Sequence, residues 1–365
     1  MSVREKLGLF NTELPLERAS TIPAIWYYDP EIYDAEIKHL FLKNWIWAGR
    51  MDQLSEPGCY FTLDIGPEPV LVAKDREGMV RAFSNVCRHR AARVVPQTCG
   101  KSQYFQCRYH GWTYDLSGRL KGTPEFDGVE NFYKEEHSLP GWKLSHFGNF
   151  VFVNAGQSPE QSLNDFLYPF AERVSSLGLD KMKFVARKEY DMKCNWKIFV
   201  DNYLDGGYHV NTLHPSLAGL IDYSNYRTEI ARHTSVQVSP RRPVPKDSSI
   251  AEVRAGDAAY YWWVYPNLML NIYEGLMDIN VVIPTGPDSC KVIFDFFFED
   301  AQSDKIARSL EVAHQIQLED LEICEEVQRN LHSRSFQTGR FSVRREGGGH
   351  HFHLMLAREL QSNFA

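Results

Sequence analysis

The sequence lacks any apolar run that approaches the roughly 20 residues needed to cross a bilayer. Its opening segment is interrupted by charges such as Arg4, Lys6 and Glu13, so we expect no secretory signal. An excess of positive charge is also missing. The formal net charge is −7, which argues against binding to nucleic acid. Together these absences predict a cytoplasmic protein that uses neither a membrane nor nucleic acid as a partner.

Cysteine is scarce, with seven residues in a chain of 365. An odd number in a chain without a predicted signal indicates reduced thiols rather than a disulfide framework. Five of these cysteines are expected to be inert buried thiols: Cys59, Cys99, Cys194, Cys290 and Cys324. The remaining two each lie close to a histidine.

These two cysteines belong to a motif that runs from Cys87 to His110. It reads Cys87-Arg88-His89, then 17 residues, then Cys107-Arg108-Tyr109-His110. Two Cys-plus-His pairs on separate loops suit a Rieske [2Fe–2S] cluster, in which one iron takes two thiolates and the other takes two imidazoles. Gly100 and the Gly111-Trp112 step would give the loops room to turn. The motif therefore predicts Cys87, His89, Cys107 and His110 as cluster ligands.

Three alternatives fit this motif less well. A zinc finger would place Cys with Cys and His with His. Two disulfides cannot be built from Cys87 and Cys107 alone, and a chance grouping of four such residues is the third alternative. With this motif the sequence resembles the Rieske oxygenase family, and the resemblance extends over most of the chain.

The order of patterns along the chain predicts three segments. Residues 1–43 are expected to be a leader with one helix beginning at Pro30-Glu31 and packing on the catalytic domain. Residues 44–158 show short strands and turns, as in a Rieske domain. Hairpin turns are expected at Asp75-Arg76-Glu77-Gly78 and at Asp115-Leu116-Ser117-Gly118. Residues 159–365 are expected to be the catalytic domain, which begins with a helical linker at 159–184. Its strands are expected near 185–193, 229–239, 259–270, 276–284 and 290–299.

A second metal site is indicated in a predicted helix near 195–214. His209 and His214 are five residues apart, which separates them by roughly 140° on a regular α-helix. Pro215 disfavours helical geometry at the residue before it. We therefore expect a distorted helix end that brings the two histidines together.

A late helix near 304–331 supplies a candidate third ligand. Its apolar stripe places Asp320 in a core-facing position, and the stripe runs through Ile306, Leu310, Ala313, Gln317, Asp320, Cys324, Val327 and Leu331. A buried carboxylate should be paired or bind a metal, and pairing with a neighbouring Arg or a backbone amide is the alternative. With His209 and His214 it would complete a two-His, one-carboxylate site for Fe(II), which leaves positions for O2 and substrate.

The family resemblance supports this second site. The Asn195-Trp196-Lys197 start, followed by His-x4-His and a late Glu319-Asp320 step, resembles the mononuclear-iron motif. The resemblance also implies a carboxylate that links the first histidine to the cluster of a neighbouring subunit. Many members place it three residues before that histidine, where this chain has Gly206.

Asp205 is therefore the preferred bridging residue, and Asp201 is the alternative. Asp205 precedes His209 by four residues, so both would share one helical face and Asp205 could orient the imidazole. A solvated helix position is the alternative reading of Asp205. Asn202 matches the family's Asn beside the iron.

The resemblance implies an α+β fold, with a β-rich Rieske domain joined to a helix-grip (START-like) catalytic domain that has an antiparallel sheet. It implies a homotrimer that receives electrons from NAD(P)H through a separate flavin and iron–sulfur reductase. The run from Asp201 to Val210 looks like the choline monooxygenase-like branch. That branch implies hydroxylation or N-dealkylation of a quaternary ammonium compound of the choline, betaine or carnitine type.

Two rival functions stay open. One is an aromatic ring-hydroxylating dioxygenase alpha subunit, and the other is an electron-transfer protein without catalysis. An aromatic run at 260–265 bears on the substrate, because alternate rings on a strand face one side. Five residues are candidates for an aromatic cage around an ammonium group: Tyr203, Tyr208, Tyr261, Trp263 and Tyr265. Filling of the sheet's core is the alternative role for each ring.

The histidines between Gly347 and His353 form a third group. It has glycines and no acidic residue. We expect a loop or a subunit contact there rather than a metal site.

Overall fold

The computed structural model describes residues 1–156, 158–214, 217, 221–242 and 255–364. The chain divides into two compact units, one formed by Met1–Leu40 with Leu167–Ala365 and the other by Phe41–Phe166. The larger unit is thus assembled from both ends of the sequence. Among the described helices, none has the length and apolar character that a bilayer crossing requires.

The described residues of the smaller unit form ten strands. They are β1 (Ile46–Arg50), β2 (Cys59–Ile65), β3 (Glu68–Lys74), β4 (Val80–Ser84), β5 (Cys99–Lys101), β6 (Phe105–Gln106), β7 (Thr113–Tyr114), β8 (Leu120–Gly122), β9 (Gly141–Phe147) and β10 (Phe150–Asn154). Seven form one sheet in the order β1-β10-β9-β4-β3-β2-β5, and three form a second in the order β6-β7-β8. Neighbouring strands pair in antiparallel fashion throughout both sheets.

The predicted hairpin turns are confirmed. Asp75 closes the turn between β3 and β4, because its Oδ1 accepts hydrogen bonds from the amides of Glu77 (3.0 Å) and Met79 (2.8 Å). Asp115 Oδ1 does the same between β7 and β8, accepting from the amides of Ser117 and Arg119. A short carboxylate that binds its own turn is the reason aspartate favours these positions.

The larger unit contains a second seven-stranded antiparallel sheet. Its strands are β11 (Lys183–Met192), β12 (Arg227–Ile230), β13 (Thr234–Pro240), β14 (Ala255–Val264), β15 (Leu268–Glu274), β16 (Leu276–Gly286) and β17 (Ser289–Phe298). Their order is β11-β17-β16-β15-β14-β13-β12. The predicted α+β class with an antiparallel sheet is confirmed.

Two of the predicted strands are hairpins instead. The strand expected near 229–239 is divided between β12 and β13, and that expected over 259–270 is divided between β14 and β15. In the second hairpin the chain turns at Tyr265-Pro266-Asn267. Apolar residues continue through this turn because it is buried, so hydrophobicity alone did not reveal it. Pro266 was the available signal, since proline is unsuited to the interior of a sheet.

Eight α-helices among the described residues accompany the sheets. They are α1 (Val3–Leu7), α2 (Pro30–Glu36), α3 (Leu163–Leu167), α4 (Phe170–Ser175), α5 (Trp196–Tyr203), α6 (Val210–Leu213), α7 (Ile306–Asn330) and α8 (Gly347–Ser362). The expectation of one helix in the leader is wrong, because α1 precedes the predicted α2. Asp29 caps α2 by accepting from the amide of Glu31 at 3.0 Å, and a π-helical turn at Ile37–Phe41 continues α2.

The long helix α7 coincides with the predicted apolar stripe in its middle and departs from it on either side, since Ser309 is buried near its start where the stripe has Leu310. Gln317 and Cys324 are buried as expected, but Val327 is 40% exposed and Gln328 takes its buried place. The predicted stripe has an average spacing of 3.5 residues, whereas an α-helix has 3.6 residues per turn. The stripe therefore rotates by about 20° per heptad around a straight helix and leaves the buried face. Gln328 is accommodated because its Oε1 accepts from the Asn195 amide at 2.7 Å.

The segment around Gly347 is helical, so the prediction of a loop there is wrong. It forms the start of α8, in which His350 and His353 are buried. His353 Nδ1 accepts from the Ile22 amide at 3.2 Å, and its Nε2 lies 2.8 Å from Asp201 Oδ1. The glycines allow close packing, since a Cβ at Gly348 would lie 3.1 Å from the carbonyl oxygen of Leu204.

The five remaining cysteines divide into two groups. Cys194, Cys290 and Cys324 are buried as predicted. Cys59 is only half-buried and Cys99 is exposed, so the expectation of burial is wrong for these two. Cys99 lies on β5, which is at the edge of its sheet, and one side of an edge strand has no neighbouring strand to cover it.

A fully buried ion pair joins the leader to α5. Lys197 Nζ lies 2.7 Å from Glu36 Oε1, and both side chains are 0% exposed. The indole Nε1 of Trp196 donates to Glu36 Oε2 at 2.8 Å. Burial raises the pKa of Glu36 and lowers that of Lys197, and their mutual attraction opposes both shifts. The charged form of each residue is therefore stabilised by the charge of the other.

Replacing Lys197 with Met should lower the free energy of unfolding by about 3–5 kcal/mol, because Glu36 would keep a buried charge without its cation. Urea unfolding followed by tryptophan fluorescence would measure the change. The double variant Glu36→Gln with Lys197→Met should recover much of the loss, since no unpaired charge remains. Lys193→Met, an exposed position close by, is the control. An equal loss in that control would contradict the explanation.

Candidate functional site

The two loops that carry the predicted cluster ligands have the same hydrogen-bond pattern. The amide of Cys87 donates to the carbonyl of Ala92 at 2.8 Å, and the amide of Cys107 donates to that of Trp112 at 2.8 Å. The amide before each of these acceptor residues donates back to the cysteine carbonyl, at 3.0 Å in both loops. Each loop therefore closes tightly around its cysteine.

This closure requires left-handed backbone at one position in each loop. Gly111 has a φ of 75° and Ala91 a φ of 57°. Glycine adopts such an angle without steric cost, so the predicted role of Gly111 is confirmed. Gly100 lies on β5 rather than in a loop, and the expectation for it is wrong. A Cβ there would lie 2.8 Å from the Tyr60 hydroxyl, so Gly100 serves strand packing.

The structure brings the four predicted cluster ligands together in two pairs. Cys87 and Cys107 are buried, and burial together with the neighbouring Cys87 thiol raises the pKa of Cys107. His89 Nδ1 and His110 Nδ1 face each other at 3.1 Å. Two inward thiols and two converging imidazole nitrogens are the donors that a Rieske cluster requires.

Two aromatic residues whose contacts with the ligands were not predicted from the sequence support these ligands. The ring of Trp112 stacks on that of His89, with centroids 4.8 Å apart. The Tyr114 hydroxyl lies 3.4 Å from Cys87 Sγ and accepts from the Arg88 amide at 3.0 Å. Hydrogen bonds to cluster sulfurs are one of the factors that set the reduction potential of an iron–sulfur cluster.

The second predicted metal site also converges. One ligand atom from each of His209, His214 and Asp320 lies within 4.8 Å of the others. Asp320 Oδ1 is 3.2 Å from His214 Nε2 and 3.9 Å from His209 Nε2. Two imidazoles and one carboxylate are the donor set of a non-haem Fe(II) site, so these residues suit the iron that the sequence predicts.

Each histidine of this group is oriented by a further carboxylate. Asp205 Oδ2 lies 2.5 Å from His209 Nδ1, and Glu319 Oε2 lies 2.6 Å from His214 Nδ1. Such contacts fix the tautomer with hydrogen on Nδ1 and direct the Nε2 lone pair toward a metal. Burial acts to lower the pKa of His214, but Asp320 and Glu319 outweigh it and raise that pKa. The sequence analysis named Glu319 as part of the Glu319-Asp320 step but did not predict its contact with His214.

The helix expected near 195–214 is broken in two. Helix α5 ends at Tyr203 and α6 begins at Val210, with Gly206 (φ 71°) and Gly207 (φ 69°) between them. Asp205 and His209 therefore meet across a turn rather than on a helical face. The distorted geometry predicted for His214 is confirmed, since its φ and ψ are −114° and 77°. Pro215, on which that prediction relied, lies outside the described residues.

The remaining polar candidates separate into different environments. Asn202 Nδ2 donates to Asp320 Oδ1 at 2.8 Å, so it lies beside the predicted ligand. Asp201 accepts from the Tyr27 hydroxyl at 2.6 Å and contacts His353. Between the two aspartates considered for the bridge, only Asp205 contacts His209 in the described structure.

A cavity of about 110 Å³ opens beside the three predicted iron ligands. It is lined by residues of α5, α6, α7 and the sheet, among them Tyr203, Tyr226, Tyr261 and Tyr273. The Tyr203 hydroxyl is within 3.1 Å of the carbonyl oxygens of Trp262 and Leu270. These contacts hold the ring of Tyr203 in the cavity wall.

Three of the five predicted aromatic cage residues do not line this cavity. Tyr208 is 56% exposed. Trp263 follows Tyr261 on the same face of β14, but α8 covers it there, with its ring 5.7 Å from that of Phe352. Tyr265 lies in the turn after β14 and donates to Glu359 at 2.7 Å. Alternation along a strand identified the face correctly but could not show where a helix covers it.

Comparisons with known proteins agree with this geometry. The family model described as ring hydroxylating alpha subunit (catalytic domain) matches residues 179–362, and that of the Rieske [2Fe-2S] domain matches residues 44–133. The chain is 38% identical to the chloroplastic choline monooxygenase of Arabidopsis thaliana, over 96% of this chain and 86% of that protein. It is 28% identical to the carnitine monooxygenase oxygenase subunit of Escherichia coli K12, over 94% of each.

Solved structures extend the likeness to the whole fold. The quaternary ammonium Rieske monooxygenase CntA in complex with L-carnitine has a TM-score of 0.82 at 26% identity, covering 94% of this chain and 96% of that one. Naphthalene 1,2-dioxygenase from Rhodococcus sp. has a TM-score of 0.82 at 19% identity, covering 100% and 99%. The latter is a likeness of fold alone.

We expect His209→Ala and Asp320→Ala each to lower the iron content by about one ion per chain, because each removes a ligand from one iron site. The visible and EPR spectra of the cluster should persist, since its ligands lie on other loops. Metal analysis beside these spectra would test both points. Glu322→Ala, an exposed position on α7, should keep all its iron. Loss of the cluster spectra from folded His209→Ala protein would contradict the assignment of two sites.

Proposed function

Because this chain belongs to the family of Rieske-type ring-hydroxylating oxygenase alpha subunits, we propose that it is a monooxygenase acting on a small quaternary ammonium compound of the choline, betaine or carnitine type. Members of the family hold a [2Fe–2S] cluster and a mononuclear iron, and take electrons from a separate reductase. The observation that supports the substrate class is one cavity shared by the predicted iron ligands and four tyrosines. Tyrosine rings attract an ammonium group through their quadrupoles.

Different residues have different roles in the proposed reaction. His209, His214 and Asp320 would hold the iron, while Asp205 and Glu319 hold the two imidazoles in the required tautomer. When bound, the cluster and the iron supply electron transfer and activation of O2. The cavity would hold the substrate beside the ligands. One atom of O2 enters a C–H bond of the substrate as a hydroxyl group, and the other leaves as water, with two electrons from the reductase and two protons. If that carbon is bonded to nitrogen, the hydroxylated product collapses with N-dealkylation.

The assembly and its partners form part of the proposal. We infer a homotrimer in which Asp205 links His209 to the cluster of a neighbouring subunit, and a flavin and iron–sulfur reductase that delivers electrons from NAD(P)H. The divisions 1–43, 44–158 and 159–365 are our proposed leader, Rieske domain and catalytic domain, and the family matches at 44–133 and 179–362 support the last two. Analytical ultracentrifugation would show the subunit number, and any other number would contradict the trimer.

A cytoplasmic location is also proposed. The support for it is the set of cysteines, which are all free in the described structure, as expected in a reducing compartment. The Arabidopsis thaliana relative is chloroplastic by name, and a plastid is the alternative. Fractionation of the source cells would decide between them, and recovery of the protein with plastids would contradict the proposal.

Turnover of a substrate panel tests the proposed reaction. Purified protein with a surrogate reductase and NADH should oxidise at least one quaternary amine with matching O2 consumption, because the tyrosine-lined cavity favours ammonium groups over neutral or acidic rings. The panel also includes aromatic acids and naphthalene. Formation of cis-diols from these aromatic compounds, with no oxidation of amines, would favour a ring dioxygenase instead. His209→Ala is the control for background oxidation.

We expect Asp205→Asn to keep both metals but to slow electron transfer to the mononuclear site. The carboxylate fixes the His209 ring and, in the proposed trimer, links it to the neighbouring cluster. Single-turnover measurements on the reduced protein would follow oxidation of the cluster. Asp201→Asn is the matched variant and should leave this step near its original rate. Slowing in Asp201→Asn alone would transfer the bridging role to Asp201.

A further inference from the structure

We propose that Cys194 and Cys290 form a reversible oxidation site, in which H2O2 converts their two thiols into a disulfide bond. The site lies in the larger unit and is separate from the predicted cluster and iron ligands. It adds a redox response to the proposed function and does not depend on which substrate the protein oxidises. The sequence alone indicated only inert buried thiols at these positions, so the site is a product of the fold.

Three thiols from different parts of the larger unit converge. Cys194 lies between β11 and α5, Cys290 lies on β17 and Cys324 lies on α7. The Sγ atoms of Cys194 and Cys290 are 3.9 Å apart. Their backbones are adjacent as well, because Met192, two residues before Cys194, is the cross-strand partner of Cys290. A disulfide has an S–S distance of about 2.05 Å, so the two sulfurs need to approach by about 2 Å.

Cys194 is the thiol that reacts first. Hydrogen bonds from the thiols of Cys290 and Cys324 lower the pKa of Cys194, although burial opposes this shift. The same hydrogen bonds, together with burial, raise the pKa of Cys290 and that of Cys324. Since the thiolate is the nucleophile in thiol oxidation, the cluster of cysteines supplies one nucleophile and a neighbouring thiol that keeps its proton.

The oxidation takes place in two balanced steps. The thiolate of Cys194 attacks one oxygen of H2O2, so that an S–O bond forms and the O–O bond breaks. The released hydroxide takes up the proton that Cys194 lost on ionisation and leaves as water. The thiol of Cys290 then attacks the sulfur of this sulfenic acid. The S–S bond forms as the S–O bond breaks, and the hydroxide leaves with the proton of Cys290 as a second water. H2O2 accepts the two electrons that the two sulfurs lose.

The cavity beside the predicted iron ligands offers a small oxidant a route to these buried thiols. Gln317 lines the cavity, and its Nε2 lies 3.8 Å from Met192 Sδ, two residues before Cys194. Cys324 follows Asp320 by four residues on α7, and residues four apart share a helix face. Reduction of O2 by two electrons and two protons gives H2O2. An oxygenase that receives electrons without a substrate to oxidise therefore supplies the oxidant close to the thiols.

Oxidation would disturb the link between the start of α5 and helix α7. Cys194 lies between two residues whose amides donate to side chains of α7, Lys193 to Glu325 Oε1 at 2.9 Å and Asn195 to Gln328 Oε1 at 2.7 Å. Helix α7 also carries the predicted carboxylate ligand of the iron. Because formation of the disulfide moves Cys194, it pulls on both hydrogen bonds. We therefore expect the disulfide to lower the rate of O2 uptake, and its reduction to restore that rate.

Peptide mapping of the holoenzyme after treatment with H2O2 shows which thiols react. Trypsin places the three cysteines on separate peptides, 194–197, 255–291 and 309–329, so a disulfide between two of them is identified by mass. We expect Cys194 linked to Cys290, a loss of about two free thiols from this cluster per chain, and full recovery with dithiothreitol. NADH-dependent O2 uptake with the surrogate reductase should fall as the disulfide forms and return with dithiothreitol.

Two single variants provide the test and its control. Cys290→Ala should keep the basal O2 uptake, form no disulfide and leave Cys194 as a sulfenic acid that dimedone labels. Cys99→Ser removes an exposed thiol and should leave both the disulfide and its effect unchanged. If Cys290→Ala does not fold, the peptide map of the unchanged protein decides.

Unmodified Cys194 in protein whose exposed Cys99 is oxidised would show inert buried thiols and overturn the site. A disulfide from Cys194 to Cys324 would overturn the pairing. O2 uptake that stays unchanged while the disulfide forms, or that is lost without recovery in dithiothreitol, would overturn the effect on activity. The peptide map needs no substrate, so failure of the oxidation site and failure of the proposed function are distinguishable.

Discussion

The turn at Asp205-Gly206-Gly207 is the constraint on which the predicted iron site depends. The turn ends α5 and starts α6 in a new direction, and both histidines, which lie at the two ends of α6, present their Nε2 atoms to Asp320. The turn is possible because both glycines adopt positive φ. At Gly206 a Cβ would overlap the carbonyl oxygen of Arg345, so this residue satisfies a packing demand as well as a backbone one.

The opposite side of the site is set by helix α7. Consecutive residues on a helix point about 100° apart, so Glu319 and Asp320 reach different atoms of His214. Asp320 faces Nε2 and Glu319 faces Nδ1. The buried Gln328, near the end of α7, accepts a hydrogen bond from the amide of Asn195, the N-cap of α5. This bond holds the start of α5 against the last turn of α7. The site is thus positioned by rigid elements rather than by loops alone.

The sequence predicted those parts of the molecule that are encoded locally. The grouping of Cys87, His89, Cys107 and His110 and the hairpin turns at Asp75 and Asp115 each rest on short motifs. The approach of Asp320 to His209 and His214 was predicted with the help of the family resemblance. What sequence reasoning missed depends on distant packing. The cover of Trp263 by α8, the buried turn at Tyr265-Pro266 and the replacement of Val327 by Gln328 are set by neighbours far apart in the chain. No periodicity within one element contains that information.

Four carboxylates around this cavity and its histidines have the same chemistry but different environments. Asp320 lies within reach of two imidazole Nε2 atoms, and Asp205 and Glu319 lie against Nδ1 atoms. Asp278 instead is held by two amides on the sheet. A carboxylate takes its role from the partner that its backbone element places in range, since ionised oxygens only accept hydrogen bonds or bind cations. Where the partner is an imidazole Nδ1, the carboxylate orients a predicted ligand; where the partners are two side-chain amides of neighbouring strands, as at Asp278, the carboxylate joins those strands in the cavity wall.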